Sequence, residues 1–234
     1  MFKRLKLRAA EPELMDDLTT GGEELQEALV HLRLLNKIFA AAGPTVYGVH
    51  RLWIAAGKPG SLTVLDIGAG SGDVNQQLLR WADRNGIALE ITLMDITDEA
   101  CREARKLFEN EPRVQVVRGD LFALPVQCAD IVTGTQFVHH FASDELAAAV
   151  QSMREASRYG VVLNDIHRHW IAWAAVWLTT RFISRNRYIL NDGPLSVAKG
   201  FRSSEWKKLE SELAVSNFHI SWRPLFRHAV VIPK

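Results

Sequence analysis

Two groups of residues in this chain have types and spacings suited to chemistry. The first is an acid-flanked glycine turn, Asp66-Ile67-Gly68-Ala69-Gly70-Ser71-Gly72-Asp73. Glycines let a backbone approach a ligand closely. A pyrophosphate would call for G-x-G-x-x-G with bare N–H groups facing it. Here the pattern is G-x-G-x-G, and Asp73 stands where that fingerprint has its third glycine. A carboxylate at that point repels phosphate, and Asp66 adds a second negative charge. A ligand carrying an ammonium and a positively charged sulfur suits the turn better. S-adenosylmethionine has both, with a ribose and an adenine besides.

Candidate partners for the rest of that ligand follow in sequence order. Asp95 comes roughly 20 residues past the glycines, where an acid can accept from both ribose hydroxyls. Ile96 is placed to lie on one adenine face. Asp120 can accept from the adenine amino group, with Leu121 giving backbone contact. Thr135 and Gln136 would line the methionine end. The plainer readings are a helix-start residue for Asp95 and a turn-forming residue for Asp120.

The second group is histidine. Of eight in the chain, His139, His140, His167 and His169 fall within 31 residues, with Asp165 beside the second pair. Imidazoles titrate near neutral pH, where an acceptor must lose a proton. His139 is the first candidate base and His140 the second, with Asp165 orienting one of them. They can equally cap or pack their loops. Alternation in Asp165-x-His167-x-His169, with His140 as a fourth, also permits a metal reading; no metal is expected.

These residues need a scaffold that brings loop ends together. The chain reads first as helix, from Glu24 to Ala42 with Leu25, Leu29, Leu32, Leu35 and Phe39 near helical spacing. A second helix opens at Pro44 and stops near Gly57. The acidic segment around Glu13-Leu14-Met15, together with the helix that follows it, is positioned to act as a lid.

Strands and helices then alternate. Strands are expected at Leu62 to Asp66, Leu89 to Asp95, Val114 to Val117, Asp130 to Thr133 and Val161 to Leu163. Helices are expected at Val74 to Arg84, after a Thr97 cap, and from a Ser143 cap to about Arg158. This alternation predicts an α/β, Rossmann-like, mostly parallel sheet with helices on both faces. A helix at Ser204 to Leu213 and strand-like runs at Val215 to Trp222 and Phe226 to Ile232 predict a C-terminal helix and edge hairpin. The expected organisation is one domain over 1–234. It comprises a helical cap (1–58), a cofactor-binding core (60–165), a helical insertion or lid (167–200) and a C-terminal helix and hairpin (201–234).

Composition narrows the functional class. The 234 residues are 47% hydrophobic, with 28 Lys+Arg against 27 Asp+Glu and two Cys. That excludes a disordered chain and a disulfide framework. Near-zero net charge and no basic stripe with interleaved aromatics argue against nucleic acid. No apolar signal segment is visible, and Trp170 to Ile183 falls short of a bilayer span. A cytoplasmic protein is expected. Trp170, Trp173 and Trp177 at helical spacing have three readings: a roof over an aromatic acceptor, core packing, or membrane contact near Arg181, Arg185 and Arg187. Membrane contact is the less favoured. Oligomeric state is left open.

The chain resembles the class I S-adenosylmethionine-dependent methyltransferases. The resemblance rests on Val64 to Gly72, Asp95, Gly119-Asp120 and Ala129-Asp130-Ile131-Val132, in the family's order. More loosely it is similar to the small-molecule branch related to ubiquinone/menaquinone methylases. It is similar also to bacterial methyltransferases found beside type III polyketide synthases, through Pro12 to Asp16 and Asp192 to Ser196. The resemblance implies an enzyme that donates a methyl group from S-adenosylmethionine; the acceptor does not follow from it, and the expected one is a small aromatic, polyketide- or quinone-like molecule, methylated at oxygen before carbon. Two rivals stand beside it: a non-catalytic S-adenosylmethionine-binding protein and an NAD(P)-dependent reductase.

Overall fold

A computed structural model describes residues 5–17, 21–215 and 217–234. Seven strands form one sheet: β1 (Ser61–Ile67), β2 (Ala88–Asp95), β3 (Val114–Arg118), β4 (Ala129–Thr135), β5 (Ser157–Ile166), β6 (His219–Arg223) and β7 (Arg227–Pro233). Their order is β3-β2-β1-β4-β5-β7-β6. The first five are parallel, whereas β7 runs antiparallel to both β5 and β6. The expected edge hairpin is thus present.

Both faces of the sheet are covered, so its strands read as nearly continuous apolar runs. Alternation splits them. Leu65, Ile67, Val132, Val161, Leu163 and Val230 face one layer with Trp206 and Met153. Leu62, Val64, Ile91, Leu93, Ile131 and Val162 face the other with Leu52, Leu78 and Phe108.

Helices α1 (Glu23–Ile38) and α2 (Ala42–Ala55) precede the sheet. Helices α3 (Asn75–Asn85), α4 (Asp98–Leu107) and α5 (Leu146–Ala156) make the crossovers. Helices α6 (Trp170–Ile183), α7 (Arg187–Lys199) and α8 (Ser203–Leu213) lie between β5 and β6. Two local signals act as expected. Gly86, at φ 66°, ends α3 in the left-handed conformation, and the Thr97 side chain accepts from the Ala100 N–H to cap α4.

Several boundaries differ. Helix α5 starts at Leu146 with Glu145 at its N-cap, so Ser143 does not cap it. It ends at Ala156 because Ser157 already pairs with Ala129 as β5 begins. Strand β6 starts at His219, later than Val215, and position 216 lies outside the described residues. Among the described residues no helix is long and apolar enough to cross a membrane.

Strand order reverses between β1 and β4. In such sheets ligands bind in the crevice outside the carboxyl ends of the strands at this switch point. The glycine turn leaves β1 there, and Gln136 to His140 leaves β4 beside it.

Candidate active site

A single cavity of about 890 Å³ occupies this crevice. That lies toward the upper end of the ~300–1,000 Å³ typical of small-molecule sites. Its lining includes Asp66, Gly68, Gly70, Asp95, Ile96, Asp120, Leu121, Thr135, His139 and His140 from the sequence candidates. Gly72 is not among them. A Cβ there would run into Leu93 and Phe108, so Gly72 serves the packing of the turn onto β2 and α4.

The turn needs its glycines for backbone reasons. Gly68, Gly70 and Gly72 have φ of 61°, 57° and 73°, in the left-handed region that side chains disfavour. At Gly68 a Cβ would also strike the Phe137 ring. Asp95 ties the turn to β2: one oxygen accepts from the Gly70 N–H at 2.9 Å, the other from the Thr97 N–H and Oγ1 at 3.0 and 2.9 Å. Asp120 accepts from the Phe122 N–H at 2.9 Å, starting a 3-10 turn over Leu121–Ala123. Each of these acids therefore has a structural duty besides facing the cavity.

Acidity in the turn is buried. Asp66 accepts from Asn75 Nδ2 and Thr133 Oγ1, both at 2.6 Å. Burial, with Asp73 and Asp95 nearby, raises its pKa to about 6. Burial also raises Asp73. A chain of side chains reaches Asp73 from the far edge of the site. Arg227 Nη2 donates to Gln136 Oε1 at 3.3 Å, Gln136 Nε2 to Asn36 Oδ1 at 2.7 Å, and Asn36 Nδ2 to Asp73 at 3.2 Å. Each donor points toward the acid. The chain clips α1 to the glycine turn and holds Gln136 at φ 53°, a conformation uncommon outside glycine. Thr135 Oγ1 shares a 2.7 Å hydrogen bond with Thr45 Oγ1.

The other end of the cavity holds the histidine pair. His139 is buried, with Nδ1 2.7 Å from Asp165 Oδ1, and its backbone N–H reaches the other Asp165 oxygen at 3.2 Å. Asp165 itself is fully buried behind the ring and does not line the cavity. The Nε2 side of His139 faces Glu13 Oε1 at 3.4 Å, off the line for a hydrogen bond. Burial alone would lower the His139 pKa; Asp165 and Glu13 outweigh it and push the group up to about 9. His140 stacks on His139 with ring centres 4.4 Å apart, its Nδ1 2.7 Å from Asp16 Oδ1.

The N-terminal segment that supplies Glu13 and Asp16 is pinned across the cavity. Asp192 accepts from the Leu14 and Met15 N–H groups at 2.9 and 3.0 Å. Ser196 Oγ donates to Glu13 at 3.0 Å, and Lys199 Nζ lies 3.3 Å from Asp16 and 3.7 Å from Glu13. Burial opposes ionisation of Glu13, but His139, His140 and Lys199 hold its pKa below the usual carboxylate range.

Several expectations are corrected here. His167 and His169 do not share the cavity with His139. The His167 ring sits 4.9 Å from that of His228, while His169 caps α6 by accepting from the Ile171 N–H and stacks on Phe226. Asp165, His167, His169 and His140 do not converge. Among the described residues the group able to meet on one cation is Glu13, His139 and His140. Lys199 already brings positive charge to that group. The Trp170–Trp173–Trp177 stripe does not roof the cavity; Ser196 and Lys199 of α7 line it instead. Glu13, Lys199, Asn36 and Arg227 were not singled out individually from sequence. Of these only Glu13 had a signal, its place in the Pro12 to Asp16 segment.

Comparison with known proteins bears on the fold that holds this site. Residues 64–160 match the model of a methyltransferase domain. A non-reducing polyketide synthase, atr1 of Stereocaulon alpinum, is 30% identical over 115 residues, 47% of this chain and 4% of the synthase. The ubiquinone/menaquinone biosynthesis C-methyltransferase UbiE of Rickettsia bellii is 35% identical over 74 residues, 27% of this chain and 30% of UbiE. The chain thus spans less than a third of either curated relative. Human N-acetylserotonin methyltransferase, solved with S-adenosylmethionine, superposes with a TM-score of 0.62 at 15% identity, covering 89% of this chain and 55% of the human one. Neighbours of this kind bear out the Rossmann-like sheet. Over residues 64–160 this chain is similar to a methyltransferase domain.

Proposed function

We propose that the protein transfers a methyl group from S-adenosylmethionine to an oxygen of a small phenolic or enolic acceptor of aromatic, polyketide or quinone type. The observation that carries this reading is one cavity joining the acid-flanked glycine turn to the buried His139–Asp165 pair. When bound, the cofactor supplies an electrophilic methyl on a sulfonium. The residues present suit it. Asp95 and Asp120 face the cavity for ribose and adenine, Ile96 and Leu121 offer apolar surface, and Asp66 and Asp73 set a negative environment.

On the acceptor side, Leu25, Leu29, Leu32, Phe137 and Phe141 give an apolar wall suited to a flat ring. The acceptor hydroxyl approaches His139 Nε2 at the position Glu13 Oε1 now holds. Its proton passes to Nε2 as the oxygen takes the methyl. Asp165 keeps the ring oriented and stabilises the imidazolium. Displacing Glu13 removes one of the carboxylates that raise His139, which brings its pKa back toward neutrality and makes it a competent base. The segment carrying Glu13 and Asp16 excludes water once the acceptor is seated.

Methylation at carbon is the second reading, favoured by the UbiE relative, whose name states that chemistry. The test is turnover of the full chain with a labelled methyl donor and a panel of phenols and enols, the products assigned by NMR. Methyl ethers support the first reading, and ring C-methyl products replace it with the second. Firm S-adenosylhomocysteine binding with no product from any acceptor supports instead a non-catalytic binding protein.

A further inference from the structure

Helix α6 presents an apolar face that the cavity does not use. Trp170 is 51% exposed, Ile171 43%, Trp177 37%, Leu178 51% and Phe182 80%. At 3.6 residues per turn these positions fall on one side of the helix, with Ala174 and Arg181 among them, and Arg185 follows just past the Ser184 C-cap. Only the opposite side packs inward: Ala172, Trp173 and Val176 meet Ile166, Val197 and Phe226. Leu225 is 48% exposed in the β6–β7 turn, next in sequence to Phe226, whose ring stacks on His169 at the N-cap of the helix. A contiguous exposed apolar patch of this kind marks an interaction surface.

Its charge selects the occupant. From residue 166 to 191 the chain has no acid and four arginines. Arg168 pairs with Glu205 and Arg187 with Glu24. Arg181 lies over the Trp177 ring at 4.0 Å, and neither it nor Arg185 meets a carboxylate among the described residues. A symmetric contact through this face would set one acid-free stretch against another and offer these arginines no carboxylate from it.

We propose that α6 docks on an anionic lipid surface. Ile171, Trp177, Leu178 and Phe182 enter the boundary between headgroups and acyl chains, and Arg181 and Arg185 engage lipid phosphates. The helix lies in the interface and does not span the bilayer. It packs along α7, which carries Ser196 and Lys199 of the cavity, so the docked face stands one helix away from the site.

The test is co-sedimentation of the full chain with phosphatidylcholine vesicles with and without phosphatidylglycerol. The expected result is binding that requires the anionic lipid. Arg181→Gln with Arg185→Gln should lower the partition coefficient roughly 30-fold, at about one charge contact per arginine. Phe182→Ser should lower it as well, with circular dichroism and S-adenosylhomocysteine affinity unchanged. No binding, or equal binding to both vesicle types, would overturn the proposal. So would a dimer in sedimentation velocity that Phe182→Ser dissociates, which would assign the face to a second copy.

Discussion

Replacing Glu13 by Gln removes one of two carboxylates flanking a buried imidazole while keeping the side chain's shape. Glu13 Oε1 stands 3.4 Å from His139 Nε2, and Asp165 stands 2.7 Å from Nδ1. An opposite charge at this range moves a titration midpoint by roughly 1–3 pH units. His139 should therefore fall from about 9 to between roughly 6 and 8 in the variant. Stability follows the same linkage. The folded state binds this proton more tightly than the unfolded chain, so the contribution is full below about 6.5 and is lost as pH rises through about 9. Its size is about 3 kcal/mol. The assay is NMR titration of the His139 Cε1–H, with thermal unfolding at pH 6.5 and 9.5. A wild-type midpoint near 6.5, or a midpoint unmoved by Glu13→Gln, would refute the electrostatic reasoning.

Other consequences follow from the same site. Asp95→Ala should weaken S-adenosylhomocysteine binding on the order of 10–150-fold, the worth of a charged hydrogen bond; an unchanged calorimetric Kd would remove Asp95 from the ribose. His139→Ala should lower kcat on the order of 10²–10⁴-fold with cofactor affinity nearly intact; a variant with wild-type kcat across the pH range would end its role as base. Gly68→Ala places a side chain at φ 61° against Phe137. It should lower Tm by several degrees, at about 2–4 °C per kcal/mol, and an unmoved Tm would show that the turn has room.

Much of the fold was legible because its signals are local. Apolar runs of strand length alternate with helical periods, Gly86 and Thr97 end and begin helices, and the glycine turn marks the end of β1. Ser143 misled because Glu145, nearer the helix start, stands at the N-cap instead. The end of α5 was hidden because pairing of Ser157 with Ala129 is a tertiary preference, invisible in residue order. The site divides in the same way. Asp95, Asp120 and Thr135 are placed by the strands they terminate, and adjacency alone carries His139 and His140 into the crevice. His167 and His169 share the motif's appearance, but β7 and its turn hold them against His228 and Phe226. Asn36, Lys199 and Arg227 reach the site only through contacts across 37 to 183 residues of chain, for which no spacing gives warning.

The central claim is that the pocket beneath the glycine turn selects the adenosine and amino-acid ends of S-adenosylmethionine over a pyrophosphate, and calorimetry on the full chain tests it most directly. S-adenosylhomocysteine, which shares the adenosine and amino acid ends, should bind at one site per chain, with NAD giving no heat of binding. Saturable NAD binding with none for S-adenosylhomocysteine would contradict the account.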